Sequence, residues 1–534
     1  YFDDWAVSPA LYDAADGDLV DVARYLNQVD LTGVTPYVAS LHYRHPTLAF
    51  LAQDYAALKW VTGGETAVFP TATAGLLILP RSAGGGRDWM EAHLETLALE
   101  AAPPAPGNSP AFHAYRIPAG TVPQLEHPLA IDFGPAVTLR GYELRAPPRS
   151  GGTVEVLLAW QVNAPTEPGD LLPVAHLVDQ WGSGWGSARP FHYPAEQWTP
   201  AEVIVDHLSV PVAPGAPPGA YRIAVGLYAE STGASIPVLD DQGDYAGLSA
   251  SIPVTVERAS DPPALSSLDI RRRVDLVTDA GLTLPGFNLE TATVRPGEPA
   301  YLTLFWRADR APEVDLTVEL ALGDTILYRG DPVHGTYPTG DWTAGEVVAD
   351  RYALGVSLEA EPGAHPLTLR LVAPDRTVAL EAQLDQITVE ETDRIFAPPD
   401  PDHPLDITLG GRVALLGYDL DPAQPAPGET FLVTFYWQAL AEMATDYTVF
   451  THLLGRDGGV IAQDDTMPAG GTYPTTLWVP GEVVADPHPL DIPPDLAPGS
   501  YTLEVGMYVV ESGDRLSVPG DANGVVYLPV TVQP

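Results

Sequence analysis

One spacing recurs three times along this chain, too regularly for anything but a repeated fold. A Gly-aromatic-x-Leu segment appears as Gly141-Tyr142-Glu143-Leu144, Gly286-Phe287-Asn288-Leu289 and Gly417-Tyr418-Asp419-Leu420. Each copy runs on to a strand-ending tryptophan, Trp160, Trp306 or Trp437. Next come Tyr193, Trp198 and Asp206, then Tyr337, Trp342 and Asp350, then Tyr473, Trp478 and Asp486. The Tyr-to-Trp step is five residues and the Trp-to-Asp step eight in every copy. The period is 145 residues and then 131 (286 − 141 and 417 − 286). That is far longer than a solenoid or propeller unit and matches a whole β-sandwich.

Within a copy the hydrophobic period is two. Phe431, Val433, Phe435 and Trp437 alternate with Leu432, Thr434 and Tyr436, behind a Pro427-Gly428-Glu429 turn. Further strands are expected at Tyr447–Leu454, Val460–Asp464, Val483–Ile492, Tyr501–Val510 and Val525–Val532. About eight strands per copy with frequent turns point to an antiparallel sandwich, immunoglobulin-like or jelly-roll. Pro and Gly together make 105 of 534 residues (56 + 49), as short strands and tight turns require.

Residues 1–122 read differently. Leu19, Val22, Ala23 and Leu26 share one helical face, and His45-Pro46-Thr47 opens a second helix. Strands are expected at Val34–Ala39, Leu58–Val61, Ala67–Phe69, Gly75–Leu79 and Phe112–Ile117, with a helix over Asp88–Glu100. This alternation makes a small α/β domain. The expected organisation is therefore multidomain: an α/β unit at 1–122, then three tandem antiparallel β-sandwiches at 123–258, 259–394 and 395–534. Pro-rich spacers at Ala259–Pro263 and Ala397–Pro404 suggest an elongated row of self-contained beads.

Charge excludes some functions. With 26 basic and 70 acidic residues the net charge is −44, and Lys59 is the one lysine. Such a field repels nucleic acid and anionic lipid. There is no cysteine, hence no disulfide and no thiolate chemistry. No apolar run reaches the length of a membrane span. Position 1 is Tyr rather than Met, so the chain reads as a processed or excised piece.

The sequence holds no nucleophile elbow, zinc helix, phosphate loop or EF-hand pattern. No catalytic residue is assigned. Binding candidates remain. Gln180-Trp181-Gly182-Ser183-Gly184-Trp185-Gly186-Ser187 occurs in the first sandwich alone and places Trp181 and Trp185 on a Gly/Ser loop, the pattern of a contact surface. Trp198, Trp342 and Trp478 follow Tyr-Pro and suit either a sugar-stacking shelf or a plug closing the sandwich end. His176 and His452 hold equivalent strand positions, where the middle copy has Glu319. Asp240, Asp241 and Asp244 form an oxygen-rich loop that suits calcium, although turns select the same residues. No other cofactor is expected.

The motifs together resemble a known arrangement. Tyr1-Phe2-Asp3-Asp4-Trp5-Ala6, Ala23-Arg24-Tyr25-Leu26-Asn27, His42-Tyr43-Arg44-His45-Pro46-Thr47-Leu48-Ala49-Phe50-Leu51 and Leu58-Lys59-Trp60 are similar to the soluble region after the membrane helices of bacterial phospholipid-carrier-dependent glycosyltransferases, relatives of the protein mannosyltransferases. Gly417-Tyr418-Asp419-Leu420, Tyr447–Leu453, Gly471-Thr472-Tyr473-Pro474-Thr475 and Pro498-Gly499-Ser500-Tyr501 resemble sandwich domains appended to such enzymes. The family's catalytic acid lies between membrane helices, so no catalytic residue carries over. The resemblance implies an extracytoplasmic site at the cell surface or outer face of the cytoplasmic membrane. It also implies that membrane contact is made only through segments outside this chain. His42, Arg44 and His45 would face an acceptor or a lipid phosphate.

The expected function is a non-catalytic ectodomain that positions or binds glycan or acceptor beside a membrane glycosyltransferase. The alternative is a structural cell-surface or filament protein using tandem sandwiches as spacers and self-association units. Expected partners are a glycan or a cell-surface protein, possible self-association included, and no nucleic acid.

Overall fold

The computed structural model describes residues 8–63, 65–83, 89, 97–107, 109–165, 171–189, 193–240, 242–397, 399–456, 458–510 and 512–533. Strands hold 50% of residues and helices 9%, the proportions of tandem β-sandwiches rather than of a helical protein.

The front stretch builds a five-stranded mixed sheet. Its order is Lys59–Thr62, Val34–Ser40, Ala74–Pro80, Phe112–Ile117, Ala98–Ala101, with the first two pairings parallel. Helices Gly17–Leu26 and Pro46–Leu51 cover one face. Leu19, Val22, Ala23 and Leu26 meet Val38, Trp60, Leu76 and Ile78 there, so the expected helical stripe is the buried one. The helix expected over Asp88–Glu100 differs at its end: Ala98–Ala101 pairs antiparallel with Phe112–Ile117. Positions 88 and 90–96 lie outside the described residues.

From His127 onward one strand order recurs three times. The first sheet of each repeat carries four equivalent strands in chain order: His127–Phe133, Val137–Leu144, Thr153–Val162 and Glu202–Pro211 in the opening copy, and Arg272–Val277, Leu282–Leu289, Pro299–Ala308 and Val347–Gly355 in the middle one. In the last copy it is His403–Leu409, Val413–Asp421, Thr430–Ala439 and Val483–Asp491. The facing sheet there runs Val460–Thr466, Thr448–Leu454, Gly499–Tyr508, Val526–Val532. Phe431, Val433, Phe435 and Trp437 point inward together, as strand alternation requires, and meet Leu453, Leu503 and Leu528 from the opposite sheet.

The expectation of self-contained beads changes at the front. Thr66–Pro70 leaves the front sheet and pairs with Glu202–Asp206, extending the first repeat's sheet to seven strands. One interior therefore joins Tyr37, Phe69 and Leu77 to Trp160 and Ile204, and it reaches Phe305, Val347 and Ala349 of the second repeat. An edge strand exposes unpaired N–H and C=O groups, and this insertion covers that edge with the chain's own backbone.

Candidate functional site

The three Tyr-Pro…Trp segments share one geometry. A single 3-10 turn ends at each tryptophan, and its indole Nε1 donates back to the tyrosine carbonyl: Trp198 to Tyr193 at 2.9 Å, Trp342 to Tyr337 and Trp478 to Tyr473 at 3.1 Å. Trp342 and Trp478 are 1% and 0% exposed, and Trp198 is partly buried against the shared core. Their rings fill the sandwich end, so the sugar-shelf reading gives way to packing for Trp342 and Trp478.

The functional group of this motif is the glutamate nine residues after each tyrosine. Glu202, Glu346 and Glu482 are buried, and each accepts a backbone N–H: Thr199 at 2.9 Å, Thr343 at 2.8 Å and Val479 at 3.0 Å. Each also accepts its tyrosine's hydroxyl, at 2.6 Å for Tyr337 and 2.8 Å for Tyr473, with Tyr193 at 3.2 Å. Burial beside the carboxylate pushes all three phenols up, Tyr473 to about 12, so they stay donors. A cation from the preceding stretch completes each site: Lys59 on Glu202 at 2.5 Å, Arg258 on Glu346 at 3.1 Å, Arg394 on Glu482 at 3.6 Å. A buried carboxylate needs such a partner. These are three latches between successive units. The nine-residue step from tyrosine to glutamate, constant in all three copies, is the one sequence signal of this site.

The Trp181 loop takes a different course. Asp179 accepts from the backbone N–H of Trp181 (2.9 Å) and Ser183 (2.8 Å), and from Trp185 Nε1 (2.8 Å). Gly182 sits at φ +86°, and a Cβ on Gly186 would lie 1.7 Å from the Pro211 carbonyl oxygen, so glycine is required at both. Trp185 is thereby buried, at 3% exposure. The contact role expected for it becomes a stacking one: the Arg351 guanidinium lies 3.7 Å from its ring centroid. Trp181 remains 43% exposed, with one side against His334 of the second repeat, centroids 4.6 Å apart.

Beside Trp181 opens a cleft of about 790 Å³ between the first and second repeats. Tyr301, 51% exposed, stands on its wall. Asp269, Arg271, Glu290 and Arg351 supply charge to the lining. Asn288 and Thr303 are buried there; Asn288 is engaged by the Arg271 N–H (2.8 Å) and the Asp269 carbonyl (2.7 Å). The lining thus combines two exposed aromatic side chains with charged and polar groups, the mixture typical of small-molecule clefts. Tyr301, Glu290 and Arg351 were not foreseen, because the cleft exists only once two repeats meet.

The other candidates lie elsewhere. His45 is the N-cap of Pro46–Leu51, with Nδ1 accepting from the Thr47 N–H at 3.3 Å, and is buried. His42 and Arg44 are exposed, Arg44 with its guanidinium 5.0 Å from the Tyr43 ring. The Asp240 carboxylate accepts the N–H groups of Gln242 (2.8 Å) and Asp244 (2.9 Å), which lower its pKa and close an Asx turn. Asp244 is exposed, and Asp241 lies outside the described residues. Among the described residues no group of three or more His, Cys, Asp or Glu is placed to hold a metal. His176 is exposed. His452 lies 2.8 Å from both Asp465 and Glu504, and Glu319 pairs with Arg329 at 2.8 Å.

No protein-family model and no curated protein matches the chain. Among solved structures it is similar to one described as a membrane anchored protein from Corynebacterium diphtheriae, at 13% identity over 73% of this chain and 88% of the other, with a TM-score of 0.15. No described helix is long and apolar enough to cross a membrane.

Proposed function

We propose that this chain is a non-catalytic extracytoplasmic ectodomain that binds glycan in the cleft between its first two repeats. In this reading a front α/β domain (1–122) and three β-sandwiches (123–258, 259–394, 395–534) present the cleft, beside a membrane glycosyltransferase as the sequence resemblance implies. The observation that carries it is the pair of open rings, Trp181 and Tyr301, in one concave wall with charged side chains around them. Solvent-exposed aromatics at a concave polar site are the usual means of holding a sugar face by stacking. The test is titration of the full chain with a glycan panel, alongside Trp181→Ala and Tyr301→Ala. Saturable binding that weakens about tenfold, or about 1.4 kcal/mol, in either variant supports it.

A second reading, a structural spacer, draws on the three latches. Cations reaching from one unit into the next stiffen the array, as a cell-surface or filament protein would need. Sedimentation velocity at rising concentration tests it: concentration-dependent assembly supports self-association, and a monomer throughout counts against it.

A further inference from the structure

Arg351 belongs to the second repeat, yet its guanidinium is laid over Trp185 of the first, 3.7 Å from the ring centroid, and donates to the Gly184 carbonyl. No carboxylate among the described residues lies within ion-pair distance of it. The nearest acid of the loop, Asp179, already accepts three N–H groups from Trp181, Ser183 and Trp185. A guanidinium carries five N–H donors in a planar fork, and this one has a single protein acceptor in the described structure. Arg351 is one of the residues lining the 790 Å³ cleft, together with Trp181 and Tyr301. Burial at this contact lowers the Arg351 pKa even though the charges of Asp179 and Glu290 oppose that shift, so a carboxylate bound directly to the guanidinium would offset the remaining desolvation.

We infer that the cleft selects a carboxylate-bearing sugar, a uronic acid residue, with Arg351 as the carboxylate clamp and Trp181 and Tyr301 as the ring platform. This rests on the glycan reading above and specifies its ligand. Fork-shaped pairing favours planar carboxylate. A single negative charge fits better than a phosphate dianion, because Asp269 and Glu290 share the lining and the whole chain is strongly acidic.

The experiment titrates the full chain with a hexose oligomer carrying one galacturonic acid residue, its methyl ester and the neutral hexose oligomer of equal length. Wild type, Arg351→Gln and Arg351→Lys are compared, with a thermal melt of each to establish folding. The free acid is expected to bind at least about tenfold more tightly than the ester, and Arg351→Gln is expected to bring that ratio to about one. Arg351→Lys should keep the charge preference with weaker binding. Equal affinity for acid and ester in wild type overturns the inference and leaves the glycan cleft standing. A preference unchanged in a folded Arg351→Gln also overturns it. No binding of any of the three sugars, with a wider panel flat as well, overturns the glycan reading itself. The ester comparison needs no variant, so misfolding of either substitution leaves the test intact.

Discussion

Lys59, the one lysine of the chain, places its Nζ 2.5 Å from Glu202 Oε1, across 143 residues of sequence. Glu202 is 2% exposed and also accepts from Tyr37 at 2.8 Å. The front unit thus delivers both a cation and a strand, Thr66–Pro70, to the first repeat. Removing one member of a buried pair strands the other charge. Lys59→Met is expected to destabilise the joined front and first repeat by about 3–5 kcal/mol. Calorimetry of the full chain checks this, since only the transition containing these elements should move.

The second and third latches differ in exposure, and their strengths should follow. The Arg258 side chain is 39% exposed, so Arg258→Ala is expected to cost about 1 kcal/mol or less. Arg394 is 14% exposed against Glu482 at 3%, and Arg394→Ala should cost more, on the order of 3 kcal/mol. Limited proteolysis reads both: cleavage in 395–404 should accelerate more in Arg394→Ala than cleavage in 259–263 does in Arg258→Ala.

What the sequence made legible was whatever one repeat decides alone. The two-residue alternation of Phe431 to Trp437 depends only on which face meets the interior, and the helical stripe from Leu19 to Leu26 obeys the same local logic. Glu202, Glu346 and Glu482 were opaque because a charge reads as surface until its partner is known, and each partner comes from another unit. Tyr301 and Arg351 were hidden for the same reason: their role depends on Trp181 and Trp185, more than 100 residues earlier. Ala98–Ala101 reads as helix in isolation and becomes a strand because Phe112–Ile117 offers it an open edge.

Asp350 gives a pH signature to the second repeat. It is fully buried, accepts from the Val333 N–H at 2.9 Å and from the Tyr352 hydroxyl, and burial raises its pKa to about 7. The folded state then holds a proton that the unfolded chain releases near pH 4. Stability from this group is therefore lost as pH rises from about 4 to about 7, by a few kcal/mol. Asp350→Asn is expected to flatten that part of the profile, as read by denaturant melts of the full chain across the range.

The third repeat should lose stability at higher pH. His488 lies 2.6 Å from Asp464 and 2.8 Å from Asp486; burial works against its charge, but the two carboxylates outweigh burial and raise its pKa. Asp465 above all, with Glu504, raises His452. Both imidazoles stabilise the fold fully below about pH 6.5, and the gain fades as pH climbs through their raised folded values. A His452→Gln, His488→Gln double variant should be less stable than wild type at pH 5.5, with the gap narrowing toward pH 9. Hydrogen exchange of strands Thr448–Leu454 and Val483–Asp491 reports it.

The measurement that bears most directly on the account is calorimetric titration of a broad glycan panel into the full chain and into Trp181→Ala. Saturable micromolar-to-millimolar binding by at least one glycan is expected, weakened about tenfold when the Trp181 ring is removed. A flat response across the panel, or binding indifferent to Trp181, would contradict it.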